Sequence, residues 1–257
     1  MIEAAALTKL YDKFVAVDDL SLTVRAGEVL GLVGQNGAGK TTTLRCLAGI
    51  IPPTSGTVKL GGHDLKEKAI AAKRELAFFS DEPRLFEYLT VEQHLNFVAR
   101  VYQVADWRET SGPLLEELEM ADKVGQLPAE LSRGMKQKLA IACGLIHSPQ
   151  VILFDEPLTG LDPIGIRRMK ATIRRRAQEG ASIIISSHLL PLLEEVCSHI
   201  LILHGGRKVA GGTMEEIVRQ FHDPQAVGVP PDLEEIFFRA VGEGKTAATP
   251  AETSAQP

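Results

Sequence analysis

The residues Gly34-Gln35-Asn36-Gly37-Ala38-Gly39-Lys40-Thr41-Thr42 match the phosphate-binding pattern G-x-x-x-x-G-K-[ST] at every fixed position. The chemistry follows from the residue types. Glycines let successive backbone N–H groups turn inward and approach phosphate oxygens, and the helix start behind them adds a favourable dipole. The amides of Gly34, Asn36, Gly37, Ala38, Gly39 and Thr42 are the candidate donors. Lys40 supplies a point charge for β- and γ-phosphates, and the Thr41 hydroxyl is a candidate Mg²⁺ ligand.

A second feature suits the first. The apolar run Val151-Ile152-Leu153-Phe154 ends in Asp155-Glu156. Asp155 at a strand tip can hold Mg²⁺ directly or through water, and Glu156 can polarise a water aimed at the γ-phosphate. An acidic pair ending a strand is ordinary by itself; behind a complete phosphate loop it reads as the other half of a hydrolytic site.

The surrounding sequence supplies the elements that must position these groups. Glu28 to Val33 reads as a buried strand leading into the loop, and Thr41 to Leu47 as the helix after it, stopped by Gly49 and Pro52-Pro53. Residues 1 to 33 are β-rich, with Val15-Ala16-Val17 and Leu20 to Val24 as separate short runs and Tyr11 in a turn before them. Thr57 to Leu60 and Leu76 to Phe79 are further strands. From Thr90, an N-cap candidate, the apolar positions Val91, Leu95, Val98 and Val101 recur at helical spacing. Helices follow around Leu114 to Leu118 and from Leu131 to Ile146, the latter capped by Ser132. Beyond Asp155 the β/α alternation resumes, with a helix from Pro163 to about Gln178, a strand over Ser182 to Ser186, a helix through Val196, and strands at Ile200 to Leu203 and Lys208 to Ala210. Short helices near Glu215 to Phe221 and Leu233 to Val241 close the pattern. Gly242 to Pro257 has the Ala/Thr/Pro/Glu composition of a disordered tail.

Composition bounds the function. A chain of 257 residues that is 44% hydrophobic can bury one large α/β core. The formal net charge of −5 argues against a general nucleic-acid surface, so no nucleic-acid partner is expected. Cys46, Cys143 and Cys197 are isolated and read as reduced thiols. Met1-Ile2-Glu3-Ala4, followed by Lys9, Asp12 and Lys13, does not read as a secretory leader, and no apolar run approaches the ~20 residues needed to span a bilayer.

Over residues 2 to 241 the chain resembles the ATP-binding subunits of ABC transporters, in particular those of ABC-2 type exporters. Besides the two phosphate-site elements, Leu131-Ser132-Arg133-Gly134-Met135-Lys136-Gln137-Lys138 looks like the family's signature motif. Glu156-Pro157-Leu158-Thr159-Gly160-Leu161-Asp162-Pro163 is similar to its Walker B exit and D-loop, and Ser186-Ser187-His188 to its switch-histidine segment. Tyr11 lies where the family has an aromatic that stacks on adenine. The resemblance implies an α/β fold: a P-loop NTPase (RecA-like) core, an N-terminal antiparallel β subdomain and an inserted α-helical subdomain at about 85–146. It also implies ATP and Mg²⁺ as ligands, a separate transmembrane permease as partner, and attachment at the cytoplasmic face of the membrane. A second ATP-binding subunit, identical or not, is implied as well: two domains pair head-to-tail, so that Ser132 and Gly134 of one face ATP held by the other. His188 gains from the resemblance a role in contacting the γ-phosphate and holding the attacking water; a lone histidine there would otherwise read as structural.

Two positions depart from the family pattern. Asp81, followed by Glu82, stands where the family has a glutamine that reaches Mg²⁺ and senses the permease. An acid can still reach the metal shell but loses the amide's donor. In the signature segment, Arg133 and Met135 replace the commoner glycine and glutamine, a pattern that resembles the exporter branch.

Overall fold

The computed structural model describes residues 1–158, 162–221 and 231–246, with side chains described as far as 242. In chain order the elements are β1 (Ile2–Tyr11), β2 (Phe14–Val24), β3 (Val29–Val33), α1 (Lys40–Leu47), β4 (Ser55–Leu60), β5 (His63–Asp64), α2 (Ala69–Arg74), β6 (Leu76–Phe79), α3 (Val91–Tyr102), α4 (Trp107–Glu117), α5 (Arg133–Leu145), β7 (Val151–Asp155), α6 (Pro163–Gln178), β8 (Ser182–Ser186), α7 (Leu190–Val196), β9 (His199–His204), β10 (Arg207–Thr213), α8 (Met214–Phe221) and α9 (Leu233–Thr246). Two 3-10 turns, Ala121–Lys123 and Pro128–Glu130, lead into α5.

Apolar runs with no polar alternation need cover on both faces, and that is how β3, β7 and β8 are used. All their residues are buried. They sit inside a sheet of order β10-β9-β3-β8-β7-β6, parallel from β9 to β6, with β10 antiparallel at the edge. Because side chains alternate along a strand, each of these runs feeds two cores. Ile152, Phe154, Ile183 and Ile185 face the core shared with α3 to α6. Val151, Leu153 and Ile184 face the core under α1 and the antiparallel sheet β2-β1-β4-β5. Each fully buried Leu or Ile contributes roughly 1.5–3 kcal/mol to this arrangement.

Parallel strands have one consequence for chemistry: their carboxyl ends share one edge. That edge therefore gathers the loop after β3, Ser80 and Asp81 after β6, Asp155 and Glu156 at the end of β7, and Ser186 to His188 at the end of β8.

The N-terminal sheet differs from the pattern expected. The two runs at Val15 and Leu20 belong to one strand, β2, paired along its length with β1. Bulges absorb the interruption at Asp18-Asp19. Ala6 and Asp19 take positive φ of 50° and 51°, and their N–H groups donate to the hydroxyls of Ser21 (2.9 Å) and Thr8 (3.1 Å), so the irregular backbone stays satisfied. Tyr11 is the last residue of β1 rather than part of the turn. At the other end, α9 continues past Val241 to Thr246, so the first residues expected in the tail are helical; residues 247–257 lie outside the described residues.

The helical segment starts as its sequence indicates. Thr90 caps α3 in a reciprocal box, the Thr90 Oγ1 accepting from the Gln93 amide (3.3 Å) and Gln93 Oε1 accepting from the Thr90 amide (2.8 Å). Buried His94 then ties the preceding loop to this helix, one ring nitrogen meeting the Phe86 amide at 2.9 Å and the other the Thr90 carbonyl at 2.8 Å.

Candidate functional site

The loop between β3 and α1 is held open by its glycines. Gly39 has φ 102°, and a Cβ there would lie 2.4 Å from the Ala16 carbonyl oxygen, so β2 presses against the back of the loop and excludes any side chain. Gly34 is equally confined: a Cβ would come within 2.7 Å of the Leu203 carbonyl. Behind the loop the Gly206 amide donates to the Ala38 carbonyl (3.1 Å). The loop backbone is thus pinned from β2 and from the β9–β10 turn, leaving exposed Gln35, Asn36 and Gly37 on its outer face.

Lys40 opens α1 with only 8% of its surface exposed. Its Nζ donates to the carbonyls of Gly34 (2.7 Å) and Gln35 (3.3 Å), which curl the loop around the ammonium. Burial lowers its pKa from the ordinary lysine value, and the charges of Glu156 and Asp155 oppose that shift. The same two carboxylates that counterbalance Lys40 are the acids singled out by their place at the strand tip.

From Lys40 the site continues as a chain of hydrogen bonds. Asp155, 2% exposed, accepts on Oδ1 from the Thr41 hydroxyl at 3.1 Å and from the Ser186 hydroxyl at 2.7 Å. Its Oδ2 accepts no hydrogen bond among the described residues. The Glu156 amide reaches the Ser186 carbonyl (3.1 Å) and hydroxyl (3.2 Å) across the sheet edge. Glu156 itself sits at φ 53°, an uncommon conformation for a residue with a side chain, and its Oε2 contacts His188 Nδ1 at 2.8 Å. The fold therefore brings Lys40, Thr41, Asp155, Glu156 and His188 together from three parallel strands.

Other expected residues stand apart. Ser132 is exposed, and its hydroxyl accepts from the Met135 amide (3.2 Å) as the cap of α5. Among the described residues its bonds are local, and Gly134 lies in the first turn of the same helix. Asp81 is exposed in the bend after β6. Strand β6 pairs with β7 in parallel up to Phe79 and Phe154, so Asp81 follows at the same edge as Asp155 with no side-chain bond among the described residues. Tyr11 is half-exposed on the β1–β2 hairpin, where Lys9 Nζ lies 5.1 Å from its ring centroid. Thr159, Gly160 and Leu161 of the D-loop-like stretch lie outside the described residues; Asp162 beyond them caps α6, accepting from the Gly165 amide at 2.7 Å.

A family model for ABC transporters matches residues 17–159, more than half of the chain and spanning both the glycine loop and the acidic strand end. The chain belongs to the ABC transporter family. The ABC-type transporter ATP-binding protein EcsA of Bacillus subtilis is 33% identical over 225 residues, covering 86% of this chain and 90% of EcsA. The Nod factor export ATP-binding protein I of Burkholderia thailandensis is 35% identical over 219 residues, covering 84% of this chain and 72% of that protein. A solved ATP-binding subunit of an ABC transporter is similar over 94% of this chain and 99% of its own, with 32% identity and a TM-score of 0.87. As an ABC ATP-binding domain the chain is a nucleotide-binding ATPase built on the P-loop NTPase fold.

The contacts of two residues around this ABC site escaped the sequence reading. Ser186 bonds both Asp155 and the Glu156 amide, whereas the sequence marked it only as the end of an Ile-rich strand and the first residue of the switch-histidine-like segment. Gly206 braces the loop from a turn far along the chain. A serine terminating an otherwise all-apolar buried run was the available signal for the first; the second had none.

Proposed function

We propose that this chain is the ATP-hydrolysing subunit of an ABC exporter, acting on a separate transmembrane permease from the cytoplasmic face of the membrane. The observation that carries the reading is the hydrogen-bonded run from Thr41 through Asp155 and Ser186 to Glu156 and His188, set beside a buried lysine. Lys40 and the loop amides bind the phosphates. Glu156, oriented by its contact with His188, takes the proton of the attacking water, and His188 holds that water and the γ-phosphate. Tyr11 stacks on adenine.

The residues at the strand edge fit Mg²⁺. The Thr41 hydroxyl and Asp155 Oδ2, which accepts no bond among the described residues, make an all-oxygen set, and Asp81 lies in the bend after β6, the strand paired with β7. Among the described residues no group of three or more His, Cys, Asp or Glu forms a cage, as suits an ion that keeps waters and shares substrate phosphates. Mg²⁺ held there by Thr41 and Asp155 would offset the negative charge of the phosphates.

The signature residues support a second subunit. Ser132 and the amide of Gly134 offer donors and a positive helix end to solvent, while the Lys40 site holds no such group from α5 within its own chain. Two copies, or this chain and a related one, then close head-to-tail over ATP. The helical segment of about 85–146 docks the permease: beside it runs a groove of about 650 Å³ lined by Phe78, Ser80, Leu85, Phe86, Val98 and Tyr102. No described helix is long and apolar enough to cross a membrane, which suits a role beside a permease. Export is favoured by the exporter-like signature and by the Nod factor export relative.

The test is Glu156→Gln, which keeps the geometry and removes the base. Expected are ATP binding within about twofold of wild type, hydrolysis reduced by about 10³-fold, and an ATP-bound dimer on sizing with light scattering. Hydrolysis at the wild-type rate would remove Glu156 as the general base.

A further inference from the structure

At the end of α4, two acids separated by one residue reach two other helices, α5 and α6. Glu119, at φ 55°, directs Oε1 to the Arg168 guanidinium of α6 (2.6 Å) and Oε2 to Lys138 Nζ of α5 (3.1 Å). Glu117 accepts on Oε1 from the buried Thr172 hydroxyl of α6 (2.5 Å) and pairs through Oε2 with Arg175 of the same helix. Its backbone carbonyl also accepts from Arg168 (3.4 Å). Leu118 between them is buried in the core with Leu139 of α5 and Met169 of α6. The pair is therefore anchored by packing at Leu118 and by the part-buried bond to Thr172, while its contacts to Arg168 and Arg175 lie nearer the solvent.

The positions matter more than the number of bonds. Lys138 lies five residues after Arg133, the first of α5, and Arg168 five after Pro163, the first of α6. At about 1.5 Å per residue, Glu119 ties the two helices at equal depth, roughly 8 Å from their starts. Those starts are Ser132, facing a second copy in the reading above, and Asp162, which belongs to the D-loop-like stretch. We propose that Glu117 and Glu119 form a clamp that keeps the starts of α5 and α6 in fixed register, so that a closing dimer meets one rigid surface instead of two independent helix ends. They are positioning residues and do not touch ATP. The proposal rests on the split-site reading for its consequence, but the clamp has a readout of its own.

The experiment compares wild type with Glu117→Gln/Glu119→Gln, which keeps shape and removes both charges. Spin labels at Arg133→Cys and Ile164→Cys, both exposed sites, report the spacing of the two helix starts in a background carrying Cys143→Ser, because Cys143 is only half-buried against the groove; the buried thiols of Cys46 and Cys197 are held back from labelling, burial pushing Cys46 up to about 11 and raising Cys197 likewise. Expected are one narrow distance in wild type, a broadened one in the variant, and in the unlabelled variant a kcat about 10- to 100-fold lower with single-chain ATP affinity unchanged. Arg168→Lys should retain most of the activity that Arg168→Ala loses. An unchanged distance distribution overturns the clamp. A broadened distribution with unchanged kcat overturns its positioning role. Sizing of Glu156→Gln with ATP separates the two readings: if no dimer forms, the split site fails and the positioning role fails with it, whereas a normal dimer with unchanged kcat in the clamp variant counts against the clamp alone.

Discussion

The carboxyl edge of the parallel sheet and the start of α5 both present groups suited to a γ-phosphate, yet they are built in opposite ways. At the sheet edge every participant is buried or cross-bonded to another strand: Lys40 to the loop carbonyls, Asp155 to Thr41 and Ser186, Glu156 to His188. At the start of α5, Ser132 is exposed and, among the described residues, bonds within its own helix turn. Buried polar groups must satisfy one another, so the first region is preorganised by folding alone. An exposed helix start has amides to spare, so the second is finished by whatever covers it. One polypeptide thus carries one settled half of a site and one half awaiting its complement.

Substitutions should separate the two halves. The largest effect is expected for Lys40→Ala, which removes the charge enclosed by the loop carbonyls; ATP affinity should fall at least ~100-fold, on the order of 3 kcal/mol, by calorimetry or equilibrium dialysis. Unchanged binding would refute the phosphate-loop assignment. Ser132→Ala should leave single-chain ATP affinity unaltered while slowing hydrolysis by about 10- to 100-fold. It should also lower Tm by about 2–4 °C through loss of a helix cap worth about 1 kcal/mol; an equal loss of ATP affinity in the isolated chain would place both halves in one protomer. Asp81→Gln restores the family's amide at the sheet edge. ATP binding should persist, with turnover changed a few-fold only when the permease is present, and no change in reconstituted vesicles would remove Asp81 from coupling.

The smallest effect belongs to His147, on the groove side of the sheet. Its ring stacks on Tyr102 at 3.7 Å, neither ring nitrogen has a hydrogen-bond partner among the described residues, and burial pushes its pKa down to about 4. The unfolded chain, with an ordinary histidine value near 6.5, then binds the proton more readily than the folded one. Stability from this residue is complete above about pH 6.5 and is lost as pH falls toward 4. Thermal melts of wild type and His147→Phe at pH 7.5 and 5 should show a smaller acid-induced drop in the variant; parallel curves would show that the histidine does not titrate there.

Legibility followed locality. The glycine loop, the helix after it, the Thr90 and Ser132 caps and the buried β7 run were readable because a few neighbouring residues determine each. The merging of two runs into β2 was not, since it depends on bulges whose amides are satisfied by Thr8 and Ser21 on the paired segments. The bonds of Ser186 were hidden for the same reason: its partners lie 30 and 31 residues away at the end of the neighbouring strand.

The sequence by itself determined which groups could grip phosphates, hold a metal and take a proton, because loop conformation and side-chain chemistry are local properties. Only the tertiary structure decided that Lys40, Asp155, Glu156 and His188 share one edge while Ser132 stands alone, because parallel pairing aligns the ends of distant strands and no pairing of that kind reaches the start of α5.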